Sequence, residues 1–192
     1  MIGYTAGVEA RLNVCLREGT IPDAALVDAI SVAKIKCIEV AVERTHALRL
    51  EVGSYALMHD TGFELVDMLL CCKFAEGDSR ILQQKLTRDR LLALKAQGTA
   101  GALVACVGAG ETAVEARAAL SLARTLGAVP RGDRRALSDA MDANWREIYG
   151  LAELIAARHV REGERGVFVE GDVVERLQCA ATDFDHAWKE KL

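Results

Sequence analysis

Glu76, Gly77 and Asp78 follow a cysteine pair and an aromatic residue in the stretch Cys71-Cys72-Lys73-Phe74-Ala75-Glu76-Gly77-Asp78-Ser79. A carboxylate placed before a glycine at the mouth of a helix feels two opposing influences. The helix N-terminus favours the anion, while burial against Phe74 or a bound apolar ligand raises the pKa. A carboxylate balanced between the two can take a weakly acidic C–H proton. A solvated loop glutamate has the same local sequence, so pattern alone leaves both readings open. Glu43-x-x-His46 puts a carboxylate and an imidazole on one helical face, as diiron bundles do. Such a site needs a second motif of the same kind, and Asp183-x-x-His186 offers aspartate instead, so no metal ligand is assigned. Gly108-Ala109-Gly110 lacks the preceding strand of a dinucleotide loop and reads as a helix break.

The elements that must position these residues are helices. Only two prolines occur, Pro22 and Pro130, among 192 residues of which 51% are hydrophobic. Long breaker-free runs of this kind favour an all-α protein. The pattern predicts a first helix from about Thr5 to Glu18, stopped by Gly19, and a second up to Gly53 with Pro22 in its first turn. The apolar residues of that second helix cover more than one face, as in a bundle. Gly53 to Gly62 reads as a loop, and a short helix covers Phe63 to Cys72. Asp78 or Ser79 caps the next helix, whose stripe is Ile81, Leu82, Leu86, Leu91, Leu92 and Leu94. Further helices are predicted from about Glu111 to Leu126, Arg134 to Val160 and Val173 to Glu190. The glycine-rich run after Gly98 is the softest boundary, dividing a bundle over 1–97 from a helical extension over 98–192. Trp145, Tyr149, Phe168 and Trp188 are expected to anchor the C-terminal helices.

Composition excludes several functions. The net charge is −4 with mixed signs, which gives no basic surface for nucleic acid. No apolar run is long enough for a membrane span, and the start lacks the basic and apolar regions of a secretory signal. The closing Glu-Lys-Leu is not a peroxisomal address. A cytoplasmic protein is expected. The six cysteines show no Cys-x-x-Cys spacing and are expected to be small buried hydrophobes in a reducing compartment. His59 and His159 are expected at the surface or at caps.

From about Ala25 to Arg90 the chain resembles the C-terminal helical domain of the flavin-dependent acyl-CoA dehydrogenase and acyl-CoA oxidase family. The resemblance rests on a long helix ending in Ala47-Leu48-Arg49-Leu50-Glu51-Val52-Gly53-Ser54-Tyr55-Ala56, with His59 and Gly62 in register. It continues through a short helix into Phe74-Ala75-Glu76-Gly77-Asp78-Ser79-Arg80-Ile81 and the distal Arg88. It implies an up-and-down helical bundle with additional C-terminal helices. Glu76 would be the base that removes the α-proton of an acyl thioester while flavin N5 takes the β-hydride. Gly77 would let the backbone pass close to substrate, and Asp78 would cap the helix and contact FAD. Gly53 and Ser54 would approach the flavin of a neighbouring subunit.

The sequence departs from that family at Leu50, where glutamine is usual, and at Ser54 and Ala56 in its glycine loop. No segment reads as the family's N-terminal or β-rich middle domain. The resemblance therefore implies a split enzyme, in which a partner subunit carries those domains and most of the FAD. The substrate would be an acyl-CoA or acyl-carrier-protein thioester, and the assembly a hetero-oligomer. The alternatives are a non-catalytic assembly or regulatory module derived from the same domain and, more remotely, a ferritin-like metal protein.

Overall fold

Helix boundaries in the computed structural model follow cap chemistry. It describes residues 1–75, 77–108, 110–130 and 132–166, with side chains through Gly163. Helix α1 (Ile2–Glu18) starts ahead of Thr5, because the Met1 carbonyl already accepts the Thr5 amide at 2.9 Å. It ends at Gly19, whose φ of 65° is open to glycine at little cost. Asp23 caps α2 (Ala24–Val52), accepting the Leu26 amide at 2.7 Å, so Pro22 lies just outside the first turn. Two 3-10 turns (Gly53–Leu57 and Phe63–Leu65) and the short α3 (Val66–Cys71) follow. Asp78 caps α4 (Ser79–Ala96).

The second half differs from expectation in two places. The glycine-rich run contains a helix, α5 (Gly98–Ala105), carried by its alanine, leucine and valine residues. It is followed by α6 (Glu111–Gly127). The single helix expected from Arg134 to Val160 is instead α7 (Arg134–Ala143) and α8 (Trp145–Gly166). Asn144 causes the break: its side-chain amide donates to the Ala140 carbonyl at 2.7 Å, competing with the backbone for that acceptor. The helix expected from Val173 to Glu190 lies outside the described residues, as do Phe168, Cys179, Asp183, His186 and Trp188.

The protein is an all-α bundle, with eight α-helices and no strand among the described residues. Helix α4 packs on α8, α2 and α6, and α8 also touches α1, α2 and α6. Ala116 and Ala119 of α6 and Ala152 and Ala156 of α8 are buried, and such small residues let two helices approach closely. Val32, Ile35, Leu86, Leu122 and Leu151 fill the remaining core, where truncation to alanine costs about 2–5 kcal/mol for an Ile or Leu. The Tyr4 ring of α1 rests on Gly163 of α8. A Cβ there would come within 2.4 Å of a ring carbon, so this contact admits only glycine.

Helix α2 is embedded for only part of its length. Its buried residues are Leu26, Ala29, Ser31, Val32 and Ile35, and every residue from His46 to Val52 is exposed. The same asymmetry corrects the cysteine expectation. Cys37, Cys71 and Cys72 are exposed, and Cys15 and Cys106 only half-buried, because the outer part of α2 and α3 face little else. On α4, Leu86 and Leu94 are buried and Leu82 and Leu91 half-buried, while Ile81 and Leu92 point away from the core.

Candidate functional site

The loop before α4 is held from below by α2. The Lys34 ammonium donates to the carbonyls of both Ala75 and Gly77. Ser79 folds back onto the loop, its amide donating to the Lys73 carbonyl at 2.9 Å and its hydroxyl to the same oxygen at 3.3 Å. Asp78 accepts the Arg80 amide at 2.7 Å, satisfying a donor of the first helical turn. Gly77 has a φ of 105°, a backbone conformation that L side chains rarely adopt. Glu76 itself lies outside the described residues.

Gly53 and Ser54 lie at the far end of α2. The nineteen residues from Lys34 to Gly53 correspond to about 28 Å of helix, so the Gly53 turn and the Gly77 loop stand well apart on this chain. Gly53 has a φ of 57° and open space around its Cα, and Ser54 is exposed. The Asp78 carboxylate is already engaged as a cap. The cavity between α4 and helices α5 to α8 and the smaller one between α6 and α8 do not include Gly53, Ser54 or Asp78 in their linings.

The stretch of sequence that contains them is rich in exposed apolar side chains. Leu50, Leu57, Met58, Met68 and Phe74 are all exposed, Leu57 by 81% and Phe74 by 69%, as are Leu48, Tyr55, Leu65 and Ile81. Single exposed hydrophobic side chains are ordinary; here they recur along the whole stretch between residues 48 and 81. Trp145 is also exposed and meets the Tyr149 ring edge-on at 6.3 Å, with the Arg146 guanidinium over its face.

The buried charges lie away from the Gly77 loop. Glu115 on α6 is 1% exposed, and its two oxygens are taken by Arg90 of α4 at 2.5 Å and Arg158 of α8 at 2.6 Å. Arg158 also reaches Glu162 at 2.9 Å. Burial opposes the Arg158 charge, but Glu115 and Glu162 outweigh it and raise the pKa. Lys36 pairs with Glu39 at 2.8 Å and with Glu153, whose other oxygen accepts from Gln83 at 2.9 Å. Lys85 bridges Asp28 and Asp89 at 2.9 and 2.8 Å. For both lysines burial disfavours the cation, and the paired carboxylates override it and raise the pKa. The Tyr4 hydroxyl, donating to the Ala29 carbonyl at 3.2 Å, is pushed by burial up to about 12.

Among the described residues no group of three or more His, Cys, Asp or Glu is placed to hold a metal ion, and Glu43 and His46 are exposed. His59 is exposed and contacts Asp60, whereas His159 is half-buried, its pKa depressed by burial and by Arg158. No described helix is long and apolar enough to cross a membrane. No protein-family profile, curated protein or solved structure matches this chain.

Sequence reasoning did not single out Lys34, Arg90, Glu115 or Arg158. A cation set between Ala33 and Ile35 in an apolar run was the available signal for Lys34. The other three are ordinary charges in sequence, and only the convergence of α4, α6 and α8 makes them one cluster.

Proposed function

We propose that this chain is the base-bearing subunit of a split, FAD-dependent acyl-thioester dehydrogenase or oxidase. Its substrate is an acyl-CoA or acyl-carrier-protein thioester, and Glu76 takes the proton from the carbon next to the thioester carbonyl. The observation that carries this reading is the density of exposed apolar side chains between residues 48 and 81, the segment that contains both the Gly53 turn and the Gly77 loop. A base that works on a partner's flavin has to stand on an interface, and such a surface is what a permanent subunit contact covers. The Lys34 clasp on Ala75 and Gly77 supports it too, because a base must be held in place to act. The partner carries the flavin-holding domains, and the working assembly is a cytoplasmic hetero-oligomer.

A second reading is favoured by one observation. The Gly53 turn and the Gly77 loop lie at opposite ends of the 34–53 stretch along α2, which suits a non-catalytic assembly module. One experiment separates the two. The tagged chain, isolated with its bound partner from its native cell, is incubated with an acyl-CoA in deuterated water. The enzyme reading expects a flavin spectrum in the complex and deuterium uptake at the α-carbon by NMR. Glu76→Gln should remove that uptake while leaving the complex intact. Undiminished exchange in the variant, or a partner without flavin, sinks the enzyme reading and leaves the assembly module.

A further inference from the structure

A cavity of about 960 Å³ opens between the C-terminal half of α4 and helices α5 to α8. Its lining starts at Gln84 and extends to Lys95 and beyond. At 1.5 Å of rise per residue, that places it roughly 8–24 Å along α4 from Ser79. It is therefore separate from the loop that carries Gly77, and it stands or falls independently of the function proposed above. Leu91, Leu120, Leu126, Met141 and Ile148 line its interior. Leu92, Leu103 and Leu137 also line it and remain 58%, 50% and 42% exposed, so the mouth leaves apolar surface in water.

Charge is distributed unevenly around that mouth. Among the described residues Arg88, Lys95, Arg124 and Arg134 line the cavity, against a single acid, Asp133. Arg88 is partly neutralised by Asp89 at 2.9 Å, and the Asp133 carboxylate is engaged in capping α7. Lys95, Arg124 and Arg134 have no ion pair or side-chain hydrogen bond among the described residues. Lys95 and Arg124 sit in the last turns of α4 and α6, where the helix dipole favours a cation. The dipole explains why a charge is welcome there, but it gives the donors of neither side chain a partner among the described residues.

An apolar interior with a cationic rim complements a molecule with a long apolar body and one anionic end. No aromatic side chain among the described residues lines the cavity, and an alkyl chain needs none, whereas a nucleobase or flavin ring is usually held by stacking. The volume falls in the range typical of small-molecule sites and accommodates a flexible alkyl chain. We infer that this cavity binds an amphiphile with a single long alkyl chain and an anionic head, the chain among the leucines and the head between Lys95, Arg124 and Arg134.

The test uses the full chain and three probes: dodecanoate and dodecyl phosphate, each kept below its micelle concentration, and 1-dodecanol, kept below its solubility limit. Calorimetric titration should show saturable one-to-one uptake of at least one of the two anions, with 1-dodecanol bound at least tenfold more weakly. The Tm should rise with the concentration of the bound anion, as linkage requires. A preference for dodecanoate identifies a free fatty acid as the natural ligand class, and one for dodecyl phosphate identifies a phosphorylated lipid. The double variant Arg124→Ala/Arg134→Ala removes only exposed side chains. It should reduce anion binding tenfold or more and leave 1-dodecanol unchanged. Ala123→Trp, which projects into the cavity, should block all three probes. The proposal is overturned if neither anion binds saturably, or if 1-dodecanol equals the anions and the arginine variant changes nothing. It is equally overturned if light scattering shows a dimer whose formation, rather than ligand uptake, is what Ala123→Trp abolishes.

Discussion

Replacing Glu115 by alanine would leave the Arg90 and Arg158 guanidinium groups facing each other with only Glu162, on Arg158, as a counter-charge among the described residues. Glu115 is 1% exposed, and the side chains of Arg90 and Arg158 are 15% and 22% exposed. Removing one partner from a buried charge cluster costs about 3–5 kcal/mol. Both arginines keep some access to water and can partly rehydrate, so the lower part of that range, about 3 kcal/mol, is the expected loss. For a chain of this size each kcal/mol moves Tm by about 2–4 °C, which gives a drop of roughly 6–12 °C. Urea titration followed by circular dichroism measures the loss directly, and the variant's unfolding slope shows whether it still unfolds as one unit. The effect should persist in high salt, because buried pairs are screened far less than surface ones. The combined replacement Arg90→Met/Glu115→Leu/Arg158→Met should recover most or all of the loss, since apolar residues of similar size often match a buried ionic cluster. A Glu115→Ala midpoint within 1 kcal/mol of the parent would refute the reasoning, showing that the cluster is hydrated in solution.

Two further outcomes are expected. Gly77→Ala should destabilise the protein by roughly 1–3 kcal/mol, seen in urea titration. The cost is backbone strain at a φ of 105° rather than crowding, since the added methyl meets Leu82 at an ordinary 3.9 Å; an unchanged midpoint would mean that the loop takes another conformation. His159 is held below its ordinary pKa of 6.5, so the unfolded chain binds the extra proton between the folded pKa and 6.5. Stability from this group is then complete above pH 6.5 and falls as pH is lowered through that window. Urea midpoints between pH 7 and 5 should decline, and His159→Gln should flatten the decline; an equal slope in the variant refutes the assignment.

Much of the fold was readable from cap and breaker residues. Gly19, Gly53 and Asp78 act within one turn of themselves, so their effect is local and visible in sequence, whereas the Asp23 cap is masked there by the adjacent Pro22. Asn144 was not read as a break because its effect depends on a rotamer that brings its amide to the Ala140 carbonyl. Ile81 and Leu92 were read as buried because periodicity gives an apolar stripe without saying how wide a partner helix will cover it. The exposed cysteines have a related cause: residue type predicts burial on average, while α3 packs on α2 and the preceding 3-10 turn without covering Cys71 or Cys72. At the candidate site, Gly77 and Asp78 were legible as a helix mouth. Lys34 was not, because its contact bridges 41 and 43 residues of sequence.

Helix α2 subjects its residues to two different filters. Up to Ile35 it is wedged among α1, α4 and α8, and a substitution there is judged by whether the bundle still folds. From His46 to Val52 no side chain is buried, so folding places few demands on residue choice. Mutations along that outer stretch can accumulate until something outside the chain selects among them. One continuous rod thus joins a region that must stay as it is to one able to drift, and the surface around Gly53 can acquire or exchange binding partners without endangering the bundle that carries it.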